Sequence, residues 1–209
     1  DVFGLDLVLD ALQAALVHDG KIGMELLRIA LGHLGSDKLQ KKGEYLDGNM
    51  LQCNQCNFVF AKNIPTIEEL IKHYEGYGRN DYLSPITIKR YHEILDTFEP
   101  YRKTGNLIDV GCGIGYFAEV AIERGWKVYG TEDTDDAMEI CQKKGISMEQ
   151  GKLNPKLYPE GHFDVITSFE VLEHINNPQE EMANFNKLLR KGGALYLTTP
   201  NFNSLSRQL

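Results

Sequence analysis

Leu5, Val8, Leu9, Leu12 and Leu16 recur at three- and four-residue intervals through LDLVLDALQAALVH, so residues 5–18 are expected to form an amphipathic helix. Asp19-Gly20 reads as its stop. Ile22, Leu26, Ile29 and Ala30 repeat the pattern over 22–34 and complete a helical hairpin. Its apolar face would pack on the rest of the chain or on a second copy, which makes a homodimer through these helices an expectation. Residues 35–44, GSDKLQKKGE, are polar and read as a linker. Two short strands around a tight turn are expected over 45–63. Thr66 and Glu69 have capping-box spacing ahead of a helix over 66–75. A further helix over 84–102 has Ser84 as its cap and Pro85 in its first turn.

The texture changes at 105. Apolar strand runs at 107–110, 127–132, 146–151, 163–169 and 194–199 alternate with helical patterns at 115–125, 134–145 and 178–193. Each of the three helical patterns ends on glycine. Such alternation predicts a parallel α/β sheet with helices on both faces. The division expected is 1–83, holding the hairpin and the small strand pair, and 84–209, holding the sheet.

Composition narrows the class. The 209 residues are 42% hydrophobic and 25% charged, ordinary for a globular chain. The formal net charge is −8, and neither half is basic, which argues against a nucleic-acid partner. No apolar run approaches a membrane span, and no signal-peptide layout opens the chain. Four cysteines do not make the dense framework of a small secreted domain, so a reduced, cytoplasmic setting is expected.

The candidate chemistry begins at LIDVGCGIGYF, 107–117. In an open parallel sheet, ligands bind beyond the carboxyl ends of the strands, where glycine lets a ligand approach the backbone. Gly111-x-Gly113-x-Gly115 departs from the dinucleotide fingerprint, which needs two residues between its second and third glycines. Asp109, near the end of the first strand, can accept from a charged amino group or order the loop. Glu132 ends the second strand and can accept from both hydroxyls of a ribose.

LIDVGCGIGYF, VYGTEDTDDAMEIC, FDVITSFEVLEHI and LLRKGGALYLTTPN occur in order over about residues 105–201, and together they resemble the motifs of class I S-adenosylmethionine-dependent methyltransferases. The resemblance implies a Rossmann-like fold with S-adenosylmethionine bound. Its methionine end would lie over Asp109 and the loop of Gly111, Cys112, Gly113 and Gly115, its ribose on Glu132 and its adenine near Asp133. Tyr116, Phe117 and Phe169 would join the cofactor-binding set. Family members often carry an acid after the third strand; this chain has Gly151-Lys152-Leu153. The fold usually ends in two more strands at an antiparallel edge, and here they are expected to be absent or supplied otherwise.

Glu170, Glu173 and His174 stand at i, i+3 and i+4, one face of a helical turn. They could hold a divalent ion, or His174 could take a proton from an acceptor hydroxyl. The segment resembles the E-x-x-E-H of ubiquinone-synthesis O-methyltransferases and small-RNA 2′-O-methyltransferases, where it binds a divalent metal. Cys53-x-x-Cys56 reads as half of a zinc ribbon or as two free thiols. CNQCNFVFAKNIPTIEEL is similar to the zinc-binding segment of some surface-sugar and natural-product methyltransferases, although the upstream cysteine pair is missing.

The expected activity is methylation of a small-molecule acceptor, a hydroxylated metabolite or a carrier-linked sugar, with Glu170, Glu173 and His174 facing the acceptor. A nicotinamide-dependent oxidoreductase and a catalytically silent cofactor-binding module are the alternatives.

Overall fold

The structure, a computed structural model, describes residues 17–18, 39–41, 50–53, 59–61, 66, 69, 83–175 and 177–199. Most of the expected helical hairpin and Cys56 lie outside them. The chain forms two compact units, one of residues 1–22 with 80–209 and the other of 23–79.

In the larger unit, β1 (Val17–His18), β5 (Asn106–Val110), β6 (Lys127–Glu132), β7 (Ser147–Gln150), β8 (Phe163–Phe169) and β9 (Leu189–Thr198) form one sheet in the order β1-β9-β8-β5-β6-β7. β5 to β9 run parallel to one another, as the alternating pattern predicts. β1 pairs antiparallel with β9, Val17 opposite Leu195. This corrects the helix expected over 5–18 at its last two residues. An open strand edge offers unpaired N–H and C=O groups that a short extended segment can satisfy. It also gives the sheet an antiparallel edge.

The helices follow their sequence signals closely. α1 (Pro85–Phe98) begins where Ser84 Oγ accepts from Thr87 N at 3.2 Å. It buries Ile94, Leu95 and Phe98. α2 (Tyr116–Glu123) and α3 (Asp135–Lys143) end just before Gly125 and Gly145, both at positive φ. α4 (Pro178–Leu188) stops five residues earlier than its pattern predicts, and β9 begins directly at Leu189. The cause is tertiary. Arg190 Nε donates to the fully buried carboxylate of Asp164 in β8, and its Nη2 donates to the carbonyl of Tyr101, so the chain is extended there. Gly193 is needed beside it, since a Cβ would stand 2.7 Å from the Asp164 carbonyl oxygen.

Asp164 ties the sheet together. Its Oδ2 accepts from the consecutive amides of Lys103, Thr104 and Gly105 at 2.7, 2.6 and 2.7 Å. Burial opposes its charge, but Arg190 and the three amides outweigh it and hold the carboxyl below the usual range. The chain entering β5 is thereby fixed before the glycine loop begins. Leu107, Ile108, Val165 and Ile166 fill the sheet centre and are fully buried. No described helix is long and apolar enough to cross a membrane.

In the smaller unit, β2 (Leu39–Lys41), β3 (Met50–Cys53) and β4 (Val59–Ala61) form an antiparallel sheet in that order. The two strands expected over 45–63 are present, and the segment read as a linker adds a third. Cys53 closes β3. The expected capping box is formed: Thr66 N donates to Glu69 Oε2 at 2.8 Å and Glu69 N to Thr66 Oγ1 at 3.2 Å.

Candidate functional site

β5 and β8 are neighbours at the sheet centre, and the chain leaves their carboxyl ends in different directions, one to α2 and one toward α4. Such a reversal opens a crevice. A cavity of about 240 Å³ lies there. Asp109, Gly111, Cys112 and Gly113 line it from the loop side, Tyr116 and Phe117 from α2, and Phe169 from the end of β8. These are seven of the ten cofactor-binding residues expected from the sequence.

The loop glycines divide by what surrounds them. All three have positive φ, 72° at Gly111, 55° at Gly113 and 76° at Gly115. A Cβ on Gly111 would come within 2.5 Å of Val171 Cγ2, and one on Gly115 within 2.6 Å of Ile146 Cδ1. A Cβ on Gly113 would meet nothing within 4 Å. The first and third are therefore glycine for packing. Gly113 presents bare backbone to open space at the cavity wall.

β6 holds this loop in place. Thr131 accepts from Gly111 N through Oγ1 at 3.1 Å and from Cys112 N through its carbonyl at 3.0 Å. Glu132 Oε2 accepts from Gly113 N at 3.0 Å, and its Oε1 accepts from Asp133 N at 3.0 Å. Glu132, the expected ribose acceptor, thus organises the loop and is not among the residues that line the cavity. Asp133 follows it at the end of β6, outside the cavity lining.

Asp109 is 2% exposed and has one described side-chain donor, Thr167, whose Oγ1 lies 2.7 Å from its Oδ1. Burial raises its pKa to about 7, partly offset by the Thr167 hydroxyl and reinforced by Glu132. A carboxylate in this state gains most from a cationic partner. Together with the bare face of Gly113, it fits a ligand that has an ammonium group and lies flat on backbone. The residues present therefore suit S-adenosylmethionine.

Sequence reading missed Tyr91. It projects from α1 into the cavity and packs edge-on against Phe117, ring centroids 5.4 Å apart. Burial first, then the Asp109 charge, pushes its phenol up to about 12, so it stays protonated. The signal available was an aromatic residue on the amphipathic pattern of 84–102, which says nothing of a pocket.

The EVLEHI segment departs from its expected form. Only Leu172–His174 is helical, as a single 3₁₀ turn, and Glu170 precedes it with φ 54°. The i, i+3, i+4 face is therefore not formed. Glu170 N donates to Thr198 Oγ1 at 3.2 Å, which anchors the segment to β9 and bends it out of helical geometry. Glu173 and His174 remain close, Nε2 to Oε1 3.9 Å. Burial pushes Glu173 up to about 7, and the Glu170 charge adds to this against the Thr199 hydroxyl. Among the described residues, no three or more His, Cys, Asp and Glu side chains gather as a metal-binding group. The zinc reading of Cys53 and Cys56 falls outside the described side chains.

The family model for a methyltransferase domain matches residues 82–209. The chain belongs to the class I S-adenosylmethionine-dependent methyltransferases. Curated relatives of this methyltransferase include the ubiquinone biosynthesis O-methyltransferases of Saccharophagus degradans, 31% identical over 46% of this chain and 44% of that one, and of Thiobacillus denitrificans, 31% identical over 48% and 46%. The methyltransferase chain thus spans less than half the length of these relatives. Similar solved structures include an S-adenosylmethionine-dependent methyltransferase from Mesorhizobium loti, with TM-score 0.42 and 22% identity over 50% of this chain and 52% of that one. Another, from Aquifex aeolicus, has TM-score 0.41 and 19% identity over 56% and 72%. Family membership removes the oxidoreductase alternative, in keeping with the glycine spacing.

Proposed function

We propose that this methyltransferase acts on a hydroxyl oxygen of a small-molecule acceptor. The observation that carries the reading is the Glu173–His174 pair, which follows directly on β8, the strand that neighbours the Asp109 strand β5. Bound S-adenosylmethionine supplies a methyl group on a positively charged sulfur. Asp109 would accept from its amino group, Gly113 would let it lie on the backbone with Gly111 beside it in the cavity wall, and Glu132 would accept from its ribose hydroxyls. Cys112, Gly115, Tyr116, Phe117 and Phe169 would shape and enclose the remainder, with Asp133 toward the adenine.

A hydroxyl becomes a competent nucleophile as it loses its proton, so an O-methyltransferase gains from a base at the acceptor side. His174 would take that proton. The Glu173 carboxylate would stabilise the imidazolium so formed, and Glu170 would set the turn that carries both. Alignment and exclusion of water would supply the rest. The O-methyltransferase names of relatives about 30% identical over half the chain support an oxygen acceptor.

Calorimetry with S-adenosylhomocysteine tests the cofactor half, and the expected result is saturable micromolar binding. Transfer of labelled methyl from S-adenosylmethionine to a panel of phenols, catechols, sugars and amines tests the acceptor half. Label on phenols, catechols or sugars is expected, and label on amines alone would overturn the oxygen assignment.

A further inference from the structure

Neither the Cys112 nor the Cys141 thiol takes a chemical part in the proposed methyl transfer, although Cys112 walls the cofactor cavity, and the two meet at the cofactor loop. Cys112 lies inside the loop and lines the cavity, while Cys141 is fully buried on α3. Their sulfurs are 3.9 Å apart. Both are free thiols. We infer that Cys112 and Cys141 form an oxidisable pair whose disulfide disables the cofactor site, a reading that rests on S-adenosylmethionine binding at this loop.

Three observations carry this. The sulfurs are already in van der Waals contact, and closing to the roughly 2.0 Å of a disulfide needs an approach of under two ångströms. One partner faces the cleft, so an oxidant can reach it, and a bound cofactor would cover it. The pair also sits at the joint that shapes the loop. Cys141 Sγ donates to the Gly113 carbonyl at 3.3 Å, and Gly115 N donates to the Cys112 carbonyl at 2.9 Å. Drawing Cys112 toward α3 removes the thiol donor from Gly113 and displaces the stretch whose amide rests on Glu132.

A hydroperoxide is the oxidant. The Cys112 sulfur attacks one peroxide oxygen, the O–O bond breaks, and hydroxide leaves to be protonated as water. Cys141 sulfur then attacks the sulfur of the Cys112 sulfenic acid, the S–O bond breaks, and a second water departs. Two thiols lose two hydrogens, and one hydrogen peroxide becomes two waters. Cys112 reacts first because it is the partner that lines the cavity.

The test treats the full chain with hydrogen peroxide, with and without S-adenosylhomocysteine, and maps tryptic peptides without reduction. Peptides 104–124 and 128–143 contain Cys112 and Cys141 and should appear cross-linked. Saturating S-adenosylhomocysteine should slow the cross-link at least fivefold. The oxidised protein should bind S-adenosylhomocysteine at least tenfold more weakly, with recovery after dithiothreitol. Cys141→Ala, or Cys141→Ser if the first folds poorly, should lose the oxidant response, whatever happens at Cys53 and Cys56. No cross-linked peptide would overturn the pair, and a cross-link with unchanged affinity would overturn its control of the site. Failure of the reduced protein to bind S-adenosylhomocysteine would sink the cofactor reading instead, with the cross-link still readable by mass.

Discussion

Thr167 on β8 donates its hydroxyl to Asp109 on β5 at 2.7 Å, and that contact is the main compensation this buried carboxylate receives. Asp109 is held near pH 7, so the folded chain retains a proton there that the unfolded chain has lost by about pH 4. Its contribution to stability is accordingly best in acid and falls as pH rises from about 4 to 7. Asp109→Asn keeps an acceptor for Thr167 and removes the penalty. At pH 8 it should stabilise the empty protein by about 1 kcal/mol, a rise of roughly 2–4 °C in Tm. The same change should weaken S-adenosylhomocysteine about 100-fold, the loss of one buried charge pair. Calorimetry and thermal melts read the two effects separately.

Cofactor affinity should follow the same proton. Below about pH 7, binding an ammonium group must also expel the Asp109 proton. S-adenosylhomocysteine affinity should fall about tenfold for each unit below 7 and level off above it. Calorimetry at pH 6 in two buffers of different ionisation enthalpy should report close to one proton released. Affinity that does not change between pH 6 and 8 would contradict the role of Asp109.

The loop glycines should separate binding from folding. Gly113→Ala meets open space and should cost only the left-handed backbone, about 1 kcal/mol, while weakening S-adenosylhomocysteine at least tenfold. Gly111→Ala drives a methyl into Val171 and should cost about 3 kcal/mol in Tm or denaturant midpoint. Equal loss of stability in both would mean that Gly113 faces packing rather than a ligand.

Asp164 should govern acid stability. Its lowered pKa means that its stabilisation is complete above about pH 4 and is lost as pH falls through the folded value beneath that. Asp164→Ala leaves Arg190 and three amides without their acceptor and should cost roughly 3–5 kcal/mol. Urea melts at pH 7 and pH 3 should show that the variant loses part of the acid dependence of the parent.

At the acceptor side, His174→Ala should lower kcat roughly 100-fold or more with S-adenosylhomocysteine affinity unchanged within threefold. Glu173 titrates near 7, so turnover should rise as pH passes through that value. Glu173→Gln should lower kcat about tenfold and flatten that limb. A pH profile identical to that of the parent would remove Glu173 from the proton path.

Local chemistry was legible where it is complete within a few residues. Ser84 and Pro85 mark the start of α1, Thr66 and Glu69 cap each other, and Gly125 and Gly145 end their helices because left-handed backbone favours glycine. The places of Asp109 and Glu132, near and at the ends of their strands, were legible from the alternating α/β pattern. What escaped depends on partners far along the chain. Asp164 reads as one polar position in FDVITSF, and only the arrival of Arg190 and residues 103–105 makes it a staple. The same pairing ends α4 early and extends β9 across two glycines. Tyr91 reaches the cavity only through the packing of α1 on α2. Glu170 bends the EVLEHI turn because Thr198, on a strand that comes later, takes its amide.

The edge strand β1 has a consequence for the order in which the sheet is built. Val17 pairs with Leu195, so β1 has its place beside a strand that comes far later in the chain. Closing a loop of that length is entropically costly and cannot happen until β9 has emerged and docked on β8. On the ribosome, Val17–His18 must wait while β5, β6 and β8 emerge and associate. The open flank of β9 is therefore covered late, by residues made well before the strand they protect.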